Sequence, residues 1–557
     1  MRVKTIHLFL RLVGILFLLV ISLNPAWPEE RVLNSDTSVL WWQLTFSYDS
    51  NSLNLVEAAP IPPMAKKIRT PGLAGAPLKL SCNLSWVSAK GQSLMSVPVE
   101  IPLGVRSVLT PDEKPENDYI PPSSVFVVRV QGPEPSLNPK TIKLLRTGIQ
   151  SRGLTADSLP ASLQFTEKEI PIEWIREDSK RILDGPLSSS IIHDTGPDSN
   201  RLVIVVLGDG YTYSNLTLGS YDTHCQTLVN AFQGKAPWDI YFDAANVYKI
   251  NVESNEEGAD EPSPGPGIFK DTYLNSSFWV SGIERLLYLN STGISRAINA
   301  ANAYVGVGTW DAIIVLVNST KYGGGGGSIA VSSVHPAASE VILHEFGHSF
   351  AGLADEYDYG GTGVPSSDYE PNVDFNYELS QLKWKDWVET GTPLPTPATL
   401  AYDTVVGAFL GAKYWPSGIY RPWNNCLMRA LNRPFCPVCK QAHVLEMTTL
   451  LQLVDSQTPS PSQVVPVNSI GVSFSVEPLP IGPITYQWYL NGTLLSGETS
   501  AQIYRRAQDL SEDTSILRVQ VNHPTELVRG TEIYKTYDWS VQPVSTRVPE
   551  IQWSFYE

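Results

Sequence analysis

The stretch from residue 200 to residue 351 constrains the fold of this 557-residue chain more than any other. "RLVIVVLGDGYT" is an uninterrupted apolar run ending in a glycine turn, the pattern of a strand buried on both faces. Residues 216–232 read as a helix, "VYKINVES" as a second strand, and "WDAIIVLVNST" as a third. Between the last two, "GIERLLYLNSTGISRAINAANAYV" reads as a second helix interrupted near Gly293. Strand, helix, strand, helix, strand predicts a βαβ sheet packed by helices. "KYGGGGGSIAVSSV" then reads as a flexible glycine loop at a site rim, leading into a short strand. "HPAASEVILHEFGHSF" follows, with Pro336 placed to start a helix.

That helix carries the chemistry. His344 and His348 stand four residues apart, so both imidazoles leave one face and can share a metal ion. Glu345 lies between them in the H-E-x-x-H arrangement, where a carboxylate reaches a water on the metal. Zinc brings the pKa of such a water to about 7, and the carboxylate takes its proton during attack on a carbonyl. A bare H-E-x-x-H also occurs by chance in helices. Here a preceding strand, Gly347, Gly352 and a downstream Met support the metal reading.

A site of this type needs a third protein ligand. The long metzincin form of the motif, H-E-x-x-H-x-x-G-x-x-H, ends the helix at the Gly and swings a third His back to the metal. In "HEFGHSFAGLADEY" the glycine, Gly352, comes one residue later, and the position of the third His counted from His348 is Ala354. Counting from Gly352 instead puts Asp355 in the ligand position, and a carboxylate oxygen is an ordinary zinc ligand. Asp355 is therefore favoured over its neighbour Glu356, which together with Tyr357 is assigned to packing or outer hydrogen bonding. Met428, in "NNCLMRALNRPFCPVCKQAH", suits a tight Met turn beneath the metal, although a core Met is the commoner use. Tyr414 and Tyr420 precede it; either can donate to a developing oxyanion, and both can simply pack. "SIAVSSV" is expected to be the sheet edge that pairs with an extended substrate.

Five cysteines are present, and Cys426, Cys436 and Cys439 fall close together. A local disulfide among these three is the leading expectation; a structural zinc held by them with His443 is the alternative. A redox role for the C-P-V-C run lacks a thioredoxin context. His224 and His335 are taken as structural.

The flanks differ from the centre. Residues 30–190 hold short alternating runs such as "SVFVVRVQG" between turn signals, a β-rich domain without a catalytic constellation. Residues 198–456 form the α/β unit with its mixed sheet and helices. "SQTPSPSQVVP" reads as a linker and "KQAHVLEMTTLLQLVD" as the helix before it. Residues 466–557, with a Trp in "PITYQWYLNGTLLSG" and an Asn-Gly turn, suit an immunoglobulin-like β-sandwich lacking the usual Cys pair. At the start, Arg2, Lys4 and Arg11 precede the apolar run "LVGILFLLVISL". This suits a signal peptide over residues 1–26 and a secreted or cell-surface protein, with an uncleaved signal anchor as the alternative. No membrane insertion is expected after cleavage. The net charge of −16 argues against nucleic acid and anionic membrane surfaces as partners. Calcium has no EF-hand-like spacing to support it.

Taken together, "LGDGYT", "VESNEEGADEP", "YGGGGGSIAVSS", "HEFGHSFAGLADEY", "EPNVDF", "LKWKDWV", "GAKYWPSGIYRPWNNCLMR" and "FCPVC" resemble the IgA-peptidase family, metallopeptidase family 64, over about residues 200–450. The resemblance implies a metzincin-like zinc endopeptidase of bacterial export, with His344 and His348 as zinc ligands and Glu345 as the catalytic residue. A protein or peptide is then the expected substrate. Immunoglobulin enters only through the family's name, because no residues here identify a hinge-binding pocket. Two other classes stay open: a surface-binding or adhesion protein whose zinc helix is structural or vestigial, and a zinc hydrolase acting on a non-protein amide.

Overall fold

The structure, a computed structural model, describes residues 40–61, 78–103, 106–107, 124–133, 137, 139–151, 159–172, 188–358, 365, 367–511 and 513–544. The expected signal peptide lies outside the described residues.

The run Leu202–Asp209 is buried at every position because both faces of its sheet are covered. Successive side chains alternate between two cores. Leu202, Ile204 and Val206 face one that also takes up the His-bearing helix, Ala338–Ala351. Val203, Val205 and Leu207 face the other, which holds the helix Ser291–Tyr304. Around this strand lies a seven-stranded sheet in the order Arg106–Ser107, Gly324–Gly326, Ala330–Ser333, Ala312–Val317, Leu202–Asp209, Ala245–Asn251, Ser188–His193. The four strands from Ala330–Ser333 to Ala245–Asn251 run parallel, and antiparallel strands extend both ends.

Five expectations need correction. The glycine run is strand, not loop: Gly324–Gly326 is buried and pairs antiparallel with Ala330–Ser333. "SIAVSSV" is therefore not an edge, since Ala330–Ser333 has partners on both sides, and the far edge of Gly324–Gly326 is taken by Arg106–Ser107. The second helix starts only at Ser291, because the Asn290 side chain accepts from the Gly293 N–H and caps it there. Gly293 thus sits in its first turn rather than interrupting it. Likewise the later helix is Pro437–Leu450, and the supposed linker begins as a strand, Val454–Thr458.

Two smaller sheets form the N-terminal part. One has three strands, Leu53–Pro60, Leu40–Tyr48 and Ser124–Gly132; the other has four, Ser93–Leu103, Leu78–Val87, Thr141–Ser151 and Glu167–Pro171. Their shared core includes Trp42 and Trp86, with ring centroids 5.3 Å apart. At the other end a three-stranded and a five-stranded sheet enclose Trp488 and Trp539, which stack at 5.6 Å. That core is continuous with the one under the His-bearing helix, and the ion pair Arg201–Asp455 at 2.7 Å ties the two regions. Among the described residues no helix is long and apolar enough to cross a membrane.

Candidate metal centre

The helix Ala338–Ala351 is buried from Val341 onward, so both histidines are held by packing on every side. Gly352 ends it in the left-handed region (φ 66°), and the Leu353 N–H donates back to the Gly347 carbonyl at 3.1 Å. This closure sends the chain back past the helix. Asp355 Oδ1 arrives 3.1 Å from His344 Nε2 and 3.1 Å from His348 Nε2, and the two Nε2 atoms are 3.0 Å apart.

These distances fit a metal ion. Four ligands about 2.0–2.1 Å from zinc in a tetrahedron stand roughly 3.3 Å from one another. The outer nitrogens are occupied: His344 Nδ1 lies 3.1 Å from the Leu427 carbonyl and His348 Nδ1 2.7 Å from the Leu353 carbonyl. A proton on each Nδ1 leaves both Nε2 lone pairs facing the shared centre. All three side chains are buried.

The Asp355 carboxylate is itself held. Its Oδ2 accepts from the Tyr414 hydroxyl at 2.6 Å. Lys413 and Tyr414 both take left-handed backbone (φ 50° and 74°), a conformation costing about 1–3 kcal/mol per residue. Two backbone bonds hold them there: the Lys413 N–H to the Asp355 carbonyl and the Tyr414 N–H to the Tyr357 carbonyl, each 3.0 Å. Tyr420 is elsewhere, its ring 5.3 Å from that of Tyr377 and its backbone paired with Asp374. Met428 lies under the helix: a Cβ on Gly347 would come within 3.0 Å of its sulfur, and its carbonyl accepts from the Glu356 N–H at 2.7 Å.

Glu345 is fully buried between the helix and the glycine strand. A Cβ on Gly326 would meet its Oε2 at 2.3 Å, so the carboxylate lies against a strand that has to be glycine there. That contact gives the glycine run a role the sequence does not reveal.

Charge couples the three donors. Burial alone would push the His344 imidazolium to deprotonate, but the Asp355 carboxylate overrides it and raises the pKa to about 9. Burial would likewise raise the Asp355 carboxyl, and the two imidazoles hold it well below the usual carboxylate range instead.

A second buried group of donors adjoins the first. Glu356, Cys426, Cys436 and Cys439 bring one ligand atom each to within 4.8 Å of one another, as His344, His348 and Asp355 do. All five cysteines are free, so the expected local disulfide is absent. His443, the expected partner of these thiols, is turned away. Its Nδ1 lies 2.8 Å from the Cys439 carbonyl, its ring packs on Trp238 and Phe435, and burial lowers its pKa to about 4. Glu356 faces the thiols instead.

Buried His and carboxylate donors beside a helix-borne Glu are a donor set that could hold a metal ion. The family model described as IgA Peptidase M64 matches residues 191–403 and 398–446, a span that contains every donor of both groups. Residues 191–446 are thus similar to a peptidase domain of that family. No curated protein matches it. Among solved structures, a Bacteroides ovatus mixed-linkage glucan utilization locus protein, SGBP-B in complex with a mixed-linkage heptasaccharide, is 16% identical. That match covers 17% of this chain and 23% of that one, with a TM-score of 0.12. A putative beta-galactosidase from Bacteroides fragilis is 9% identical over 92% of this chain and 73% of that one, with a TM-score of 0.13. Neither likeness carries an argument.

Proposed function

We propose that this chain is a secreted zinc-dependent endopeptidase in which His344, His348 and Asp355 hold the ion and Glu345 is the catalytic base. The observation that carries the proposal is the convergence of three buried donors 3.0–3.1 Å apart, one helical position from a buried carboxylate. An ion held there by His344, His348 and Asp355 would supply Lewis-acid chemistry to a carbonyl and a water. Glu345 takes the proton of the attacking water and passes it to the departing amine. Tyr414 holds Asp355 through Oδ2, and so acts as a positioning residue for the third ligand.

The fold proposal is a metzincin-like core over residues 198–456, a β-rich domain over 30–190 and an immunoglobulin-like sandwich over 466–557. The buried parallel strands, the Gly352 turn and Met428 beneath the helix support the first. Two facing sheets around Trp488 and Trp539 support the last. Export follows from the basic and apolar start of the sequence, residues 1–26 being the signal. The substrate is a protein or peptide; immunoglobulin is a possibility by family only.

The test is cleavage-site profiling of the purified protein on a proteome-derived peptide library, with and without a zinc chelator. Internal cleavages that vanish with chelator and return with added zinc are expected. A zinc-loaded protein that leaves the library intact would overturn the proposal and favour a surface-binding protein.

A further inference from the structure

We infer that Glu356, Cys426, Cys436 and Cys439 hold a second zinc ion in a closed, four-ligand structural site directly behind the first. The donors come from three segments. Cys436 caps the helix Pro437–Leu450, its sulfur accepting from the Cys439 N–H at 3.4 Å, and Cys439 lies in the first turn of that helix. Cys426 stands two residues before Met428, and Glu356 directly follows Asp355.

The spacing is that of ligands around one ion. Cys426 Sγ and Cys439 Sγ are 3.7 Å apart, and Cys439 Sγ is 3.3 Å from Glu356 Oε1. Tetrahedral zinc with sulfur at about 2.3 Å and oxygen at about 2.0–2.2 Å sets S–S at roughly 3.8 Å and S–O at roughly 3.6 Å. All four side chains are almost wholly shut off from solvent. A carboxylate among three thiols is an expensive thing to bury without a cation. Asn372 donates to Glu356 Oε1 at 2.9 Å, but Oε2 is buried with no hydrogen-bond partner. The Arg421 guanidinium donates to the carbonyls of Leu410, Gly411, Trp423 and Asn424 rather than to this carboxylate. The backbone is arranged for thiolates: the Cys436 N–H points at Cys426 Sγ at 3.2 Å, as the Cys439 N–H does at Cys436 Sγ.

A disulfide would join two of the three sulfurs and leave the third, with the carboxylate, buried and unmatched. A borderline-soft d10 ion satisfies all four donors together, each thiol giving up its proton as it binds. Its position also has a consequence. Asn372 bonds both the N–H and the carbonyl of Ala354 as well as Glu356, and Met428 holds the Glu356 N–H, so the second ion fixes the backbone that aims Asp355.

The test is metal content per full-length chain, purified without chelator, for the wild type, for His344→Ala/His348→Ala and for Cys436→Ser/Cys439→Ser. Two zinc ions, one and one are expected. In the His variant an organomercurial that titrates thiols should release the remaining ion. Cobalt loaded into the same variant should give a sulfur-to-cobalt charge-transfer band in the near ultraviolet. The His variant decides the matter whether or not the Cys variant folds. No ion in the His variant overturns the inference, as does a Cys–Cys linkage among residues 426, 436 and 439 in non-reducing peptide mapping. A wild type with one ion that the His variant retains supports this site and fails the peptidase proposal instead.

Discussion

Asp355 and Glu356 are adjacent in sequence, and their carboxylates join two different groups of buried donors. Asp355 joins two imidazoles, with a buried Glu beside them; Glu356 joins three thiols. The first group has three protein donors and, in the proposed function, would leave a coordination position for chemistry; the second has four and, as inferred above, would be closed. The backbone between them is pinned from two directions, by the Lys413 N–H on the Asp355 carbonyl and by the Met428 carbonyl on the Glu356 N–H. The comparison shows how a single loop, aimed by the left-handed Gly352, can complete a reactive site and brace it at the same time.

The largest expected effect separates the two carboxylates. Asp355→Ala should empty the His site, lowering its zinc affinity by more than the roughly 10–100-fold typical of losing an outer partner, while the thiol site keeps its ion. Glu356→Ala should empty the thiol site, while the His site keeps its ion but binds it more weakly, since the backbone that aims Asp355 has lost its brace. Zinc titration against a competing chelator reads both, and loss of the same ion in both variants would break the comparison.

Next comes a pH dependence confined to metal-free protein. The His344 pKa rises from 6.5 to about 9 on folding, so the stabilisation is complete below pH 6.5 and is lost as pH climbs through about 9. A rise of that size corresponds to about 3 kcal/mol. Denaturant unfolding of chelated protein should therefore show stability falling over this window. His344→Ala should flatten the trend, and a trend that survives the substitution would contradict the Asp355–His344 pairing.

Tyr414→Phe removes the hydroxyl on Asp355 Oδ2 and should cost roughly 10–100-fold in zinc affinity at the His site only. An unchanged affinity would make Tyr414 a packing residue. Smallest of all, Met428→Leu conserves volume and should cost under about 1.5 kcal/mol of stability, with both ions retained. Loss of an ion there would give the Met sulfur a role that packing does not explain.

Much of this was legible in the sequence. Two of the parallel strands, Leu202–Asp209 and Ala312–Val317, stand out as apolar runs, because a strand covered on both faces has no polar side to show. Asp355 follows from counting from Gly352, since the helix end rather than the second His sets the frame. The glycine strand was not legible: glycine lacks strand propensity, and what selects it at Gly326 is the approach of Glu345, a contact between distant segments. The helix beginning at Ser291 was masked by Ile283, Leu286, Leu287, Tyr288 and Leu289, which are buried in the same core without being helical. Cys-x-x-Cys showed the thiols but not the fourth donor. His443 looked suitable by spacing, yet its ring is committed to an aromatic pocket. The available signal was a second carboxylate, Glu356, directly after the third His-site donor.

The most direct test of the central claim is Glu345→Gln, assayed for zinc content and for cleavage of a peptide that the wild type cuts. The account predicts unchanged zinc and a cleavage rate reduced by roughly 10²–10⁴-fold, the usual weight of a general base. Full zinc with cleavage at the wild-type rate would contradict it.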